Sequence, residues 1–299
     1  MKVLKRIGVL VLIMLFLMAG FNCGGEQTAR EEHYDKGIEH GIQGEFKAAK
    51  VEFEKALKID SFFVSAKISL SIVEDIITQK INRQSAIHLF KGREYTKKMQ
   101  LDSALVEFNE SIKTNPENAY AYNSRGWIYL NRGWMYLKNM GWINLNKGLY
   151  DQAISDFNKA IEINPRFAEA YYCRGLAYTN KGNFYNQVFY DQAISDHTKA
   201  IELNHNFAEA YSERGSVYNV KGHYKEAISD FNKAISEFNK AIQVNPRNAF
   251  AYYLKARTYE MIGHVGATIE AYKVFIQNAL TQDSLYVKEA RRRIRELEE

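Results

Sequence analysis

The chain has 299 residues, 46% of them hydrophobic and 25% charged. That balance excludes a mainly disordered chain, which needs few apolar residues and a strong net charge. The formal charge is +5, but Lys2, Lys5 and Arg6 supply three of those charges, and the remaining 37 basic residues face 35 acidic ones. Such near-neutrality gives no support to nucleic-acid binding. Two cysteines, Cys23 and Cys173, are too few for a disulfide framework or a zinc site of the CxxC type. With only 3 prolines against 20 Tyr and 17 Phe, the composition leans helical.

The first element is a leader. Met1–Arg6 is basic, and Ile7–Met18 is apolar apart from Gly8. A run of twelve residues falls short of the roughly 20 that a membrane span needs. A charged n-region before a short h-region reads as a secretory signal over residues 1–22, followed by a short linker, 23–29. Cys23, just past the h-region, resembles the lipidated cysteine of a bacterial lipoprotein. Gly20 and Asn22 depart from the usual spelling around it, so ordinary cleavage and an uncleaved anchor stay open. By the same resemblance, lipidation would tie the protein to the periplasmic side of the envelope, and Gly24 favours the outer membrane.

Internal repeats organise the rest. Four turns share one spelling: Asn115-Pro116, Asn164-Pro165, Asn204-His205 and Asn245-Pro246. Before three of them stand Ala153-Ile-Ser-Asp-Phe-Asn-Lys-Ala160, Ala193-Ile-Ser-Asp-His-Thr-Lys-Ala200 and Ala227-Ile-Ser-Asp-Phe-Asn-Lys-Ala234. After three of them come Arg125-Gly126, Arg174-Gly175 and Arg214-Gly215.

The pattern resembles the tetratricopeptide repeat, a 34-residue helix-turn-helix unit. Six units can be laid out: 30–63, 85–118, 119–167, 168–207, 208–248 and 249–282. Position 8 is then Gly37, Gly92, Gly126, Gly175, Gly215 and Ala256. The resemblance implies an all-α, right-handed superhelical solenoid, 30–299, in which no helix pair buries its face alone and stacking supplies the core. Glycines at position 15 (Gly44, Gly148, Gly182, Gly222 and Gly263) are expected at the turn between the two helices.

Three units are overlong. The third repeats its own sequence around Trp127, Trp134 and Trp142 and predicts an unusually long first helix. The Trp series forms either an exposed docking stripe or a duplicated core face. The fourth carries its extra residues near Phe184 and predicts a protruding loop. The fifth duplicates seven residues, about two helical turns, and predicts a longer second helix. Residues 64–84 fit no repeat and have helical spacing, either as an added helix or as an extension of the next one. Residues 284–298 read as a capping helix.

Position 7 is basic in every unit (Lys36, Lys91, Arg125, Arg174, Arg214, Lys255), and position 23 is acidic in five (Glu52, Glu107, Asp156, Asp196, Asp230). An ion pair between them inside each repeat is expected. No catalytic motif, cofactor motif or metal-ligand spacing is found, so a non-enzymatic chain is expected. His33 and His40 share a helical face with Asp35 nearby, but His40 simply fills an aromatic slot. His197 likewise replaces Phe157 and Phe231. Cys173 reads as a small buried residue.

By the family resemblance, the first helices line a concave groove. Its residues here are Tyr120, Asn123 and Trp127 in the third unit, Tyr172 and Thr179 in the fourth, Ser212 and Asn219 in the fifth, and Tyr253 and Arg257 in the sixth. The family's carboxylate clamp is not matched. The expected function is a protein-binding scaffold of the bacterial envelope, reaching the membrane only through its N-terminus. The alternative is a peptidoglycan or glycan binder using the same Tyr/Trp/Asn groove.

Overall fold

The computed structural model describes residues 29–140, 143–184, 186–279 and 285–299. The leader, the linker and Cys23 lie outside the described residues. Every described element is an α-helix: α1 (Ala29–Gln43), α2 (Phe46–Ile59), α3 (Val64–Ile77), α4 (Arg83–Lys97), α5 (Leu101–Thr114), α6 (Ala119–Met140), α7 (Ile143–Ile163), α8 (Ala168–Phe184), α9 (Phe189–Leu203), α10 (Ala208–Val220), α11 (Tyr224–Val244), α12 (Ala249–Ile262), α13 (Val265–Asn278) and α14 (Leu285–Glu298). Two compact units meet inside α9, one running to Asp196 and the other starting at His197.

In the first unit, α1 pairs with α2, α4 with α5 and α6 with α7, and the first helices contact one another in the order α1, α4, α6, α8. In the second, α10 pairs with α11 and α12 with α13, while α14 covers α13. Each pair is a first helix (A) and a second helix (B) of one repeat.

The A–B contact rests on one steric rule. An added Cβ on Gly37 would strike the Phe53 ring, and one on Gly92 the Phe108 ring. On Gly126 it would lie 2.9 Å from Phe157, and on Gly215 2.9 Å from Phe231. Glycine at position 8 is the floor on which the aromatic ring at position 24 sits. All four rings are buried.

Turn chemistry accounts for the repeated asparagines. The side-chain oxygens of Asn115, Asn164, Asn204 and Asn245 each accept a hydrogen bond from the backbone N–H two residues on, at 3.1–3.2 Å. These Asx turns end one repeat and start the next. Asp60 does the same work in the first repeat and also takes Arg30 at 2.6 Å.

The insertions lengthen helices. The A helix α6 has 22 residues, as expected, and its partner α7 has 21, which was not. The duplicated heptad gives α11 its 21 residues. The expected loop in the fourth unit is corrected: α8 continues to Phe184 for 17 residues, against 13 in α10, and α9 starts at Phe189. Gly182 therefore sits inside α8 against the Tyr190 ring, and Gly148 inside α7, rather than at turns. Gly44, Gly222 and Gly263 do take the positive φ expected of a turn glycine, 78°, 81° and 85°. In the second repeat the same position is Met99, held at φ 59°.

Helix α3 is an added element separate from α4. It packs on α2 and reaches across the A helices. Buried Arg93 of α4 donates to Ser69 Oγ of α3 and Tyr34 Oη of α1, both at 3.2 Å. Tyr120 of α6 donates to Asp75 of α3 at 2.9 Å.

Substitutions should separate these roles in thermal melts. Gly92→Ala overpacks the Phe108 contact and should cost about 1–3 kcal/mol. Gly148→Ala, with open space around it, should stabilise by up to about 1 kcal/mol, and Met99→Gly should stabilise by relieving a left-handed backbone.

Candidate functional site

The A-helix residues expected to line a groove are packed instead. Tyr120, Asn123, Trp127, Tyr172, Thr179, Ser212, Tyr253 and Arg257 are all buried; Asn219 alone is partly exposed. The cause is local for several of them. Tyr120 lies under α3 through its bond to Asp75 and against Phe167 at 5.1 Å. Tyr253 sits among Tyr272, Phe275 and Tyr286. Thr179 Oγ1 donates to Gly175 O at 3.0 Å, and Ser212 shares a 3.3 Å bond with Thr258. Trp127 belongs to the core, not to an exposed stripe; Trp134 and Trp142 lie outside the described side chains.

The position 7–23 ion pair forms wherever position 7 is arginine and 23 is aspartate. Arg125 grips Asp156 through Nε and Nη2 at 2.8 and 2.7 Å, Arg174 grips Asp196 at 2.8 and 2.6 Å, and Arg214 grips Asp230 at 2.7 and 2.8 Å. Each arginine reaches further. Its Nη1 donates to Asn109, Asn158 or Thr198 on the preceding B helix. Each guanidinium also lies over a tyrosine, Tyr122, Tyr171 or Tyr211. One fork therefore joins three helices. Burial raises the Asp156 and Asp196 carboxyls despite their arginines. Sequence reading missed the third arm, although the recurring Phe-Asn and His-Thr pairs at positions 24–25 carry it.

In the first two repeats the expected lysine pairing is corrected. Glu52 meets His33 Nδ1 at 2.6 Å and Lys55 at 2.7 Å, and Glu107 meets His88 Nδ1 at 2.7 Å. Lys36 turns to Glu32 on its own helix at 2.6 Å. A glutamate, one methylene longer than aspartate, reaches the histidine at position 4. His40 pairs with Glu45 at 2.7 Å. Among the described residues, no group of three or more His, Cys, Asp or Glu side chains could hold a metal ion.

Among the described residues, several buried polar atoms on A helices have no partner. They include the side-chain oxygens of Asn123, Asn131 and Asn180 in the first unit, and both Glu213 carboxyl oxygens and the three Arg257 nitrogens in the second, where the guanidinium lies over the Tyr253 ring at 6.0 Å without a hydrogen bond. Glu213 is 0% and Arg257 2% exposed. Unmet buried groups are rare in native proteins, and each calls for a reason. Burial pushes the Glu213 carboxyl up to about 8, with the charge of Arg257 pulling against it. Burial also holds the imidazole of His197 down at about 3 and raises the Cys173 thiol, leaving it unreactive.

Two outcomes follow. A double-mutant cycle on Arg174→Ala and Asp196→Ala should show coupling of about 1 kcal/mol or more, because one single change strands a mostly buried carboxylate. Because the folded chain holds a Glu213 proton that the unfolded chain releases near pH 4.5, this group's contribution is complete below that value and is lost as pH rises through 8. Stability measured by denaturant melts should fall by at least ~1.4 kcal/mol from this group over that range, the equivalent of one pKa unit. Glu213→Gln should flatten the profile.

Three models of the tetratricopeptide repeat match the chain: one over residues 144–182, a second over 107–155 and 237–270, and a third over 208–237 and 216–248. No curated protein matches the sequence. Among solved structures, TTC0263 of Thermus thermophilus, described as a thermophilic TPR protein, is similar at 19% identity, covering 78% of this chain and 98% of its own, with a TM-score of 0.47. MamA is similar at 24% identity, covering 62% of this chain and 93% of its own, with a TM-score of 0.37. The family matches, with the paired helices and the glycine-floored rings, show tetratricopeptide repeats over residues 107–182 and 208–270 of this all-α chain.

Proposed function

We propose that this chain is a non-enzymatic protein-interaction scaffold of the bacterial cell envelope, held on its periplasmic side by the N-terminus with Cys23 as the lipidation site. The observation that carries the scaffold reading is the row of unmatched polar atoms on A helices. Asn123, Asn131 and Asn180 hold unmatched acceptors in one unit, and Glu213 and Arg257 hold an unmatched carboxyl and guanidinium in the other; all are closed to solvent in the free chain, so a partner engages them only by opening the A-helix face. A polypeptide partner supplies N–H donors and carbonyl acceptors together, which is what such a row lacks. Leaving these groups unmet costs the scaffold stability. A function that uses them explains why they are there. The basic n-region, apolar h-region and Cys23-Gly24 support export and anchoring.

The test is a crosslinked capture from native envelope extract, comparing wild type with Glu213→Gln/Arg257→Met. The double variant replaces a buried carboxyl and a buried guanidinium, neither of them hydrogen-bonded, with groups of similar size, so it should melt at the same temperature or higher. It should also lose the partner. Equal capture by both proteins, or binding to protein-stripped sacculi in place of any protein, would overturn the reading. Processing at Cys23 should be sensitive to globomycin, seen as a shift in mature mass.

A further inference from the structure

The added helix α3 creates a cavity that an unmodified run of repeats would not have. It is open, holds about 840 Å³, and lies between the α1–α2 turn, the end of α3 and the start of α4. Phe46, Ile76, Ile77 and Ile81 give it an aliphatic and aromatic floor, and Lys47 and Arg83 stand among its walls. Ile77 is 46% exposed, a large apolar side chain left facing solvent.

The charges around this mouth are unequally matched. Glu45 is engaged by His40 at 2.7 Å, Asp75 by Lys80 at 2.8 Å and Tyr120 at 2.9 Å, and Glu74 by Lys50 at 3.5 Å. Among the described residues, no ion pair is formed by Lys47 or Arg83; the Arg83 guanidinium lies over the Phe46 ring at 5.5 Å and against Gly44. Helix α2 opens into the same space. Its first helical bond runs from Ala49 N–H to Glu45 O, so the amides of Phe46, Lys47 and Ala48 stand ahead of it, and the Glu45 side chain does not cap them. Two unpaired cations and an uncapped helix start thus border an apolar floor.

We propose that this cavity binds an aliphatic chain carrying an anionic head group, the chain on Ile76, Ile77 and Ile81 and the head on Arg83 and Lys47. Its volume lies within the usual range for small-molecule sites. The planar fork of Arg83 suits a carboxylate or a phosphate, and the three leading amides of α2 favour either anion. A cationic amphiphile of the same length meets the wrong charge. The site is independent of the A-helix row and stands or falls apart from the scaffold reading.

The experiment titrates hexanoate, octanoate and decanoate into the purified full chain, below their aggregation concentrations, by calorimetry and by amide chemical shifts. Affinity should rise about 2- to 4-fold for each methylene, the increment expected as each leaves water. The shifts should centre on Gly44–Ala48 and Ile76–Arg83, and decylamine should not produce them. Decyl phosphate in place of decanoate tells a phospholipid-type head from a fatty-acid head; the tighter of the two names the source. Lys47→Glu/Arg83→Glu should weaken decanoate at least 10-fold. Ile77→Asp alters only an exposed side chain, so the fold should survive, and it should weaken decanoate as much. Affinity independent of chain length, equal binding of decylamine, shifts elsewhere, or full binding by a folded Ile77→Asp would overturn the proposal.

Discussion

The contact between a bare glycine and an aromatic ring is the constraint on which the rest of this structure depends. At Gly37, Gly92, Gly126 and Gly215 the missing Cβ is the space that Phe53, Phe108, Phe157 and Phe231 occupy. It sets how closely an A helix and a B helix approach. Everything else is arranged around that distance: the arginine fork that crosses it, the Asx turn that starts the next pair, and the left-handed residue that turns A into B. Ala256 stands at this position in the sixth pair, where Tyr272 of α13 holds position 24. A methyl is tolerated there, so the rule bends at the last repeat.

Polar chemistry in this chain divides into two kinds. The Arg–Asp forks are fully matched, with two bonds to the carboxylate, one to the preceding helix and a tyrosine face beneath. They join neighbours and leave nothing free to act. The A-helix row is the opposite case. Glu213 and Arg257 lie buried in one unit with their polar atoms unmet, and a charge in that condition is expensive. The difference separates scaffold from site more sharply than residue type does, since arginine serves in both. The first two repeats depart from the third, fourth and fifth: histidine replaces arginine as the partner of the position 23 acid, and α3 covers their A helices. The added helix α3 also leaves the cavity beside Arg83.

The repeat arithmetic was readable because short-range physics writes it. Glycine under a ring, asparagine at a turn and a seven-residue duplication each act within one or two helical turns, so their spelling recurs wherever the geometry does. Asn109 and Asn158 were legible too, in the recurring Phe-Asn pair, but their bond is to the following repeat's arginine and has no meaning until repeats stack. The groove residues were named from register alone. Register places Tyr120 and Tyr253 on the A-helix face, but α3 and the Tyr272–Phe275–Tyr286 cluster decide that they are buried. The loop expected near Phe184 failed for a related reason: extra residues with good helical character extend a helix when the Tyr190 ring can pack on Gly182.

What the sequence determined by itself is the identity of the repeating unit, the number of helix pairs and the charge signs at positions 7 and 23. Each follows from contacts between residues near in sequence or from composition. What only the tertiary structure decided is which polar groups are matched. Glu52 passes over Lys36 for His33, Arg93 is enclosed by an added helix, and Glu213 and Arg257 feel each other's charge without sharing a bond. Burial and pairing depend on every neighbour at once, and those neighbours arrive from elements that sequence spacing does not relate.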